Sequence, residues 1–195
     1  YKRQVALLTV PGIVGLLQNT PIETMGWMYF FGLLWGIGGL TFGLSMRYLG
    51  MSLGMAIALG FCSAFGTLLP PLYDGSFYLL LENSSGLITL SGVGICLLGI
   101  GVCGKAGVMK EKELPEEVKK ETIKEFNFSK GLMVAIFSGI LSACMSYGFA
   151  AGKPLAKLTI DAGIDPLWQS VPLLIVVLTG GFTTNVIWCV FLNIK

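Results

Sequence analysis

The chain has 195 residues, 54% of them hydrophobic and only 12% charged, with a net charge of +2 and no histidine; its mean hydropathy is +0.77. Soluble domains carry about a quarter charged residues, so a soluble domain is excluded and most of this chain belongs in lipid. Of its 24 charges, 13 lie between Lys105 and Lys130, lysine against glutamate, which leaves no basic patch for nucleic acid. Without histidine the usual metal ligand and the usual base near neutral pH are missing, so neither metal site nor cofactor is expected.

Residues 1–4, Tyr-Lys-Arg-Gln, match one reading frame of a common sequencing-transposon end. They are read as a library scar and carry no weight in the topology. Residues 5–17 form an apolar run holding Pro11-Gly12. At ~20 Å of helix the run is too short to cross a bilayer core of about 30 Å, and is expected to be the tail of a truncated span. A polar turn with Pro21 follows.

Residues 25–69 are almost wholly apolar, with Arg47 their one charge. As one helix they would reach about 65 Å, twice the hydrocarbon thickness. The run must fold back, and Arg47, Tyr48 and Gly50 mark the turn. Spans are thus expected over residues 25–46 and 48–69, with Pro70-Pro71 stopping the latter. A mixed connection, residues 72–86, carries the turn signals Asp74-Gly75 and Asn83-Ser84-Ser85-Gly86.

The next span is residues 87–104. The charged connector, residues 105–130, holds seven lysines and six glutamates and is expected to be a solvated linker, with a short exposed helix after Pro115 supported by Glu116 and Lys120. Residues 131–152 form the fifth span, ended by Lys153-Pro154. A loop through Asp161 and Asp165-Pro166 leads to the last, residues 171–193, with Pro172 tolerated in its first turn. The organisation is therefore scar (1–4), membrane helices (5–104), connector (105–130) and two more membrane helices (131–195). Lysine and arginine set orientation. One side receives Arg47, the connector lysines and Lys195, the other Lys153 and Lys157, which puts the connector in the cytosol.

Small residues recur every four positions: Gly50, Gly54, Ala58, Cys62 and Gly66; Gly32 and Gly36, then Gly39 and Gly43; Gly131, Ala135, Gly139 and Ala143. Such ridges let backbones approach where lipid supplies no hydrophobic force. The five cysteines lie in apolar runs without paired spacing and fit the same role. Ser138, Ser142 and Ser146 share a helix face at i+4 spacing, with Tyr147 beside the last. Thr179, Thr183, Thr184 and Asn185 precede Trp188, and Trp35, Thr41 and Ser45 lie in an earlier span. These polar atoms serve either interhelical hydrogen bonds or a solute cavity; for Asn185 the cavity is favoured. Amide, hydroxyls and aromatic faces together suit a neutral polyol.

No Asp or Glu lies mid-span, so the segment shows no evident proton site. Arg47 and Lys153 are the nearest candidates for coupling, although both positions also suit interface anchors. An enzyme is not expected, because no nucleophile–base pair and no inward carboxylate cluster exists.

The stretch Trp35-Gly36-Ile37-Gly38-Gly39, followed by Gly43 to Gly54 with its arginine hairpin, resembles the L-rhamnose–proton symporter family. Ser138-Gly139 through Met145-Ser146, Lys153-Pro154, Asp165-Pro166-Leu167 and Asn185 extend the resemblance over residues 5–195. It implies an all-α polytopic bundle, part of a ten-helix carrier of the drug/metabolite transporter superfamily. Such a carrier has two five-helix inverted repeats and binds substrate near the midplane by alternating access. The chain would span helices two (in part) to seven of this inner-membrane protein, taking up a rhamnose-like neutral sugar with protons. The expected path residues are Trp35, Ser142, Ser146, Tyr147 and Asn185. Gly39 stands where characterised rhamnose carriers have Asn, which leaves the sugar's identity open. A carrier for another solute and a non-transporting membrane subunit are the alternatives.

Overall fold

The computed structural model describes residues 10–73, 75–113 and 127–194. The expected scar, the start of the first apolar run and the short helix after Pro115 lie outside the described residues. The described elements are helical: α1 (Ile13–Gln18), α2 (Ile22–Leu49), α3 (Met51–Tyr73), α4 (Phe77–Glu82), α5 (Ser84–Glu113), α6 (Phe128–Ala151), α7 (Lys153–Asp161), a 3-10 turn (Pro166–Trp168) and α8 (Val171–Ile194). Five stretches are long and apolar enough to cross a membrane: α2, Leu53–Leu72, Ser84–Met109, α6 and Pro166–Ile194.

Local chemistry explains the ends. Between α2 and α3 the chain reverses at Gly50, whose φ of +80° is open to glycine but strained for other residues. The start of α6 is capped by Asn127, whose side-chain oxygen accepts the Lys130 N–H at 2.9 Å, so the helix begins ahead of the apolar run at residue 131. Asp165 similarly accepts the Leu167 N–H at 2.8 Å and holds the 3-10 turn.

Four expected boundaries are corrected. Pro70 and Pro71 do not stop α3, which runs through both to Tyr73; proline has a helix-compatible φ, and near a helix end its missing N–H costs least. The connection at residues 72–86 contains α4 and the first turn of α5, and α5 continues past residue 104 to Glu113, because lysine and glutamate propagate a helix well. Lys153-Pro154 begins a helix as well as ending one: Pro154 lies in the first turn of α7, where its lost N–H matters little. In α7, Leu155 and Thr159 are buried while Lys153 and Lys157 are exposed, giving the amphipathic pattern of a helix at a lipid–water boundary.

The helices divide into two compact units, Tyr1–Gly36 with Cys144–Lys195, and Ile37–Ala143. The first is built on Met28, Leu155, Leu173, Val176 and Val177. Here α2 and α8 meet almost backbone to backbone: a Cβ at Gly32 would collide with the Val177 carbonyl, and one at Gly36 would lie 2.9 Å from Gly181 Cα. The second unit centres on Leu49, Ile57, Ala58 and Ala135. In it Gly54 packs on Met46 and Gly139 on Phe61. The expected ridge fails at Gly39 and Gly43, where a Cβ would meet nothing within 4 Å. All five cysteines are thiols, and Cys96 rests 3.8 Å from the Gly60 carbonyl.

Candidate functional site

In the first unit, α2 carries Trp27, Phe31 and Trp35 at four-residue spacing, hence along one flank of the helix. Trp27 stacks on Phe31 at 5.9 Å between ring centroids. Phe31 in turn stacks on Tyr147 of α6 at 5.6 Å and 25°. Tyr147 is thus one rung of an aromatic wall that begins on α2. Ser146, its neighbour, is exposed.

Trp35 and Asn185 converge on one glycine. A Cβ at Gly181 would lie 2.6 Å from Cε3 of Trp35, so the indole rests on the bare backbone of α8. One turn further along, the Asn185 amide donates to the Gly181 carbonyl at 2.7 Å. That bond takes one of the two amide hydrogens and fixes the side chain; the carbonyl oxygen and second hydrogen complete its hydrogen-bonding capacity. Asn185 itself is exposed and Trp35 half-buried.

The neighbouring hydroxyls do different work. Thr184 donates to the Leu33 carbonyl at 3.1 Å, and the Tyr29 hydroxyl donates to Thr183 at 2.9 Å. Both bonds tie α2 to α8, which is the interhelical role that threonine plays in lipid.

The serine stripe of α6 divides along its length. Within the second unit Ser138 is 1% exposed and donates to the Gly38 carbonyl at 2.9 Å. Ser142 faces the same glycine: a Cβ on Gly38 would lie 2.8 Å from its Oγ. Ser138→Ala is expected to lower stability by about 1 kcal/mol, seen as a lower thermal midpoint in detergent, whereas Ser146→Ala should leave the midpoint unchanged.

Of the expected path residues, Trp35, Ser146, Tyr147 and Asn185 belong to the first unit and Ser142 to the second. Arg47 is exposed in the last turn of α2, and Lys153 is exposed at the start of α7. Sequence reasoning missed Phe31, which joins Trp27 to Tyr147, and Gly181, which seats Trp35; the i+4 spacing of Trp27, Phe31 and Trp35 was the available signal. Among the described residues no group of three or more His, Cys, Asp or Glu is placed to hold a metal ion. The chemistry on offer is stacking and neutral hydrogen bonding.

Five helices long and apolar enough to cross a membrane define a multi-pass membrane protein. The chain belongs to the L-rhamnose-proton symport protein (RhaT) family, whose model matches residues 2–195. It is 37% identical over 185 residues to the L-rhamnose-proton symporter of Shigella boydii serotype 18 (strain CDC 3083-94 / BS512), covering 95% of this chain and 52% of that relative. The L-rhamnose-proton symporter of Escherichia coli O1:K1 / APEC is similar to the same extent, 37% over 185 residues with the same coverage. The chain spans about half the length of the curated relatives it matches. No solved structure matches it.

Proposed function

We propose that this chain is part of a ten-helix carrier of the drug/metabolite transporter superfamily that brings L-rhamnose, or a related neutral sugar, into the cell together with protons. Membership of the rhamnose-proton symport family over residues 2–195 carries the reading. The half-length match to the relatives supports a longer parent chain. Two five-helix inverted repeats would place substrate near the bilayer midplane and expose it alternately to either side. The protein would lie in the bacterial inner membrane with residues 105–130 in the cytosol.

Trp35, Tyr147 and Asn185 form the sugar-facing wall in this reading, with Ser146 beside Tyr147 and Ser142 further along the same helix. The wall holds no ionised side chain, which suits an uncharged solute. Arg47 and Lys153 act as interface anchors, with coupling roles the alternative for each. Arg47→Ala is expected to disturb insertion of the α2–α3 hairpin, read as lower membrane yield or altered accessibility of cysteines placed in the turn. Normal topology and yield with lost uptake would instead assign Arg47 to transport.

Coupling is tested by adding rhamnose to a lightly buffered suspension of de-energised cells that make the full-length carrier. Symport should draw protons from the medium and raise its pH, whereas sugar entry without a pH change would reduce the protein to an uncoupled carrier.

A further inference from the structure

One end of the second unit holds an apolar groove with a lysine in its lining. The groove, of about 420 Å³, lies where α3, α5 and α6 meet. Ile57, Phe61, Ile100, Phe128 and Leu132 line it together with Lys105, and among the described residues no acidic one does. The contacts fix the level of this end. The Asn127 N–H donates to the Tyr48 carbonyl at 3.2 Å. Gly131 packs on Leu49 and Tyr48, and a Cβ at Gly104 would lie 3.5 Å from Cζ of Phe128. Arg47 at the end of α2, Lys130 at the start of α6 and Lys105 on α5 therefore share one layer.

That layer is a membrane surface. Residues 87–104 carry no charge and rise ~27 Å as helix, close to the thickness of the hydrocarbon core. Lys105 is the first charge beyond them, at headgroup depth, where a lysine keeps its ammonium in the polar zone. The groove runs from this level into the hydrocarbon. Its occupant must be amphiphilic, with an apolar tail and a negative head, and bilayers supply that chemistry. The floor is open: Gly101 lines the groove, and a Cβ there would meet nothing within 4 Å.

We propose that this groove binds an anionic phospholipid, with one acyl chain against Ile57, Phe61, Ile100 and Leu132 and the headgroup at Lys105. A zwitterionic lipid gains the groove contacts without the charge, so selection rests on Lys105.

Native mass spectrometry of the detergent-purified protein, offered phosphatidylglycerol and phosphatidylcholine at equal concentration, tests the site. The wild type should retain phosphatidylglycerol about fivefold more than phosphatidylcholine. Lys105→Gln should bring the ratio close to one and Lys105→Arg should restore it. Gly101→Leu, which fills the groove without altering charge, should remove both adducts; its thermal midpoint reports whether it folds, and the Lys105 pair decides the question if it does not. Equal retention of the two lipids by the wild type overturns the proposal. So does a preference unchanged in Lys105→Gln, which would mean that the charged connector gathers lipid unspecifically. Loss of the adduct in the full-length protein would show that the groove is covered by more of its own chain, and would equally overturn it.

Discussion

Replacing Gly36 with leucine should strongly destabilise the first unit. A Cβ at this position would lie 2.9 Å from Cα and O of Gly181 and from Cβ of Thr184, so the new side chain meets backbone that cannot rotate away. Overpacking a well-packed core costs about 1–3 kcal/mol and sometimes more; a backbone-to-backbone contact belongs at the upper end. The separation of α2 from α8 would also strain the Thr184 bond to Leu33. The comparison variant is Gly39→Leu, three residues along the same helix, where a Cβ would meet nothing within 4 Å. It should be neutral or slightly stabilising, because glycine is the weaker helix former. Thermal unfolding in detergent, followed by reaction of a fluorogenic maleimide with the five cysteines, reads both. Equal midpoints for the two variants would mean that the close approach of α2 and α8 is not what holds this unit together.

Asn185→Ala should weaken sugar affinity in the full-length carrier by roughly tenfold, equivalent to about 1.4 kcal/mol and within the range of one hydrogen bond left unmade in a solute complex. Expression should be unaffected. Asn185 is exposed, and its bond to Gly181 lies within its own helix, so its loss removes no tie between helices. Thr184→Ala is the opposite case: it loses an interhelical bond and should lower the thermal midpoint while leaving the affinity of the folded protein alone. Half-saturation for uptake, measured beside detergent stability for both variants, separates the roles. Unchanged half-saturation in Asn185→Ala would remove this residue from the sugar path.

The spans were legible because lipid imposes a simple rule on about 20 residues at a time. Residues 25–46 lie within α2, residues 131–152 nearly coincide with α6, and residues 171–193 with α8. Apolarity marks where a chain enters lipid, however, and not where its helix ends. For that reason α5 overran residue 104 into the charged connector, and α7 was missed outright: its nine residues carry lysines and an aspartate that look like loop, although Leu155 and Thr159 are buried.

The candidate site was legible in composition and only partly in arrangement. Spacing placed Ser138, Ser142 and Ser146 on one face, yet they run from buried through half-buried to exposed. A neighbouring helix covers only the stretch where it crosses, and one helix's periodicity does not say where that is. Trp35 and Asn185 were singled out separately; that Gly181 joins them depends on a contact between helices about 150 residues apart in sequence. Phe31 was overlooked because an aromatic residue in an apolar span looks like any lipid-facing or packing residue until its stacking partner is known.

The most direct test of the central claim is uptake of radiolabelled L-rhamnose by cells that lack their own rhamnose carrier and express the full-length protein, with and without a protonophore. The account predicts accumulation above the external concentration that collapses when the proton gradient is dissipated. A well-expressed, membrane-inserted protein that accumulates no rhamnose would contradict it, leaving the helical fold and family in place but removing rhamnose as the solute.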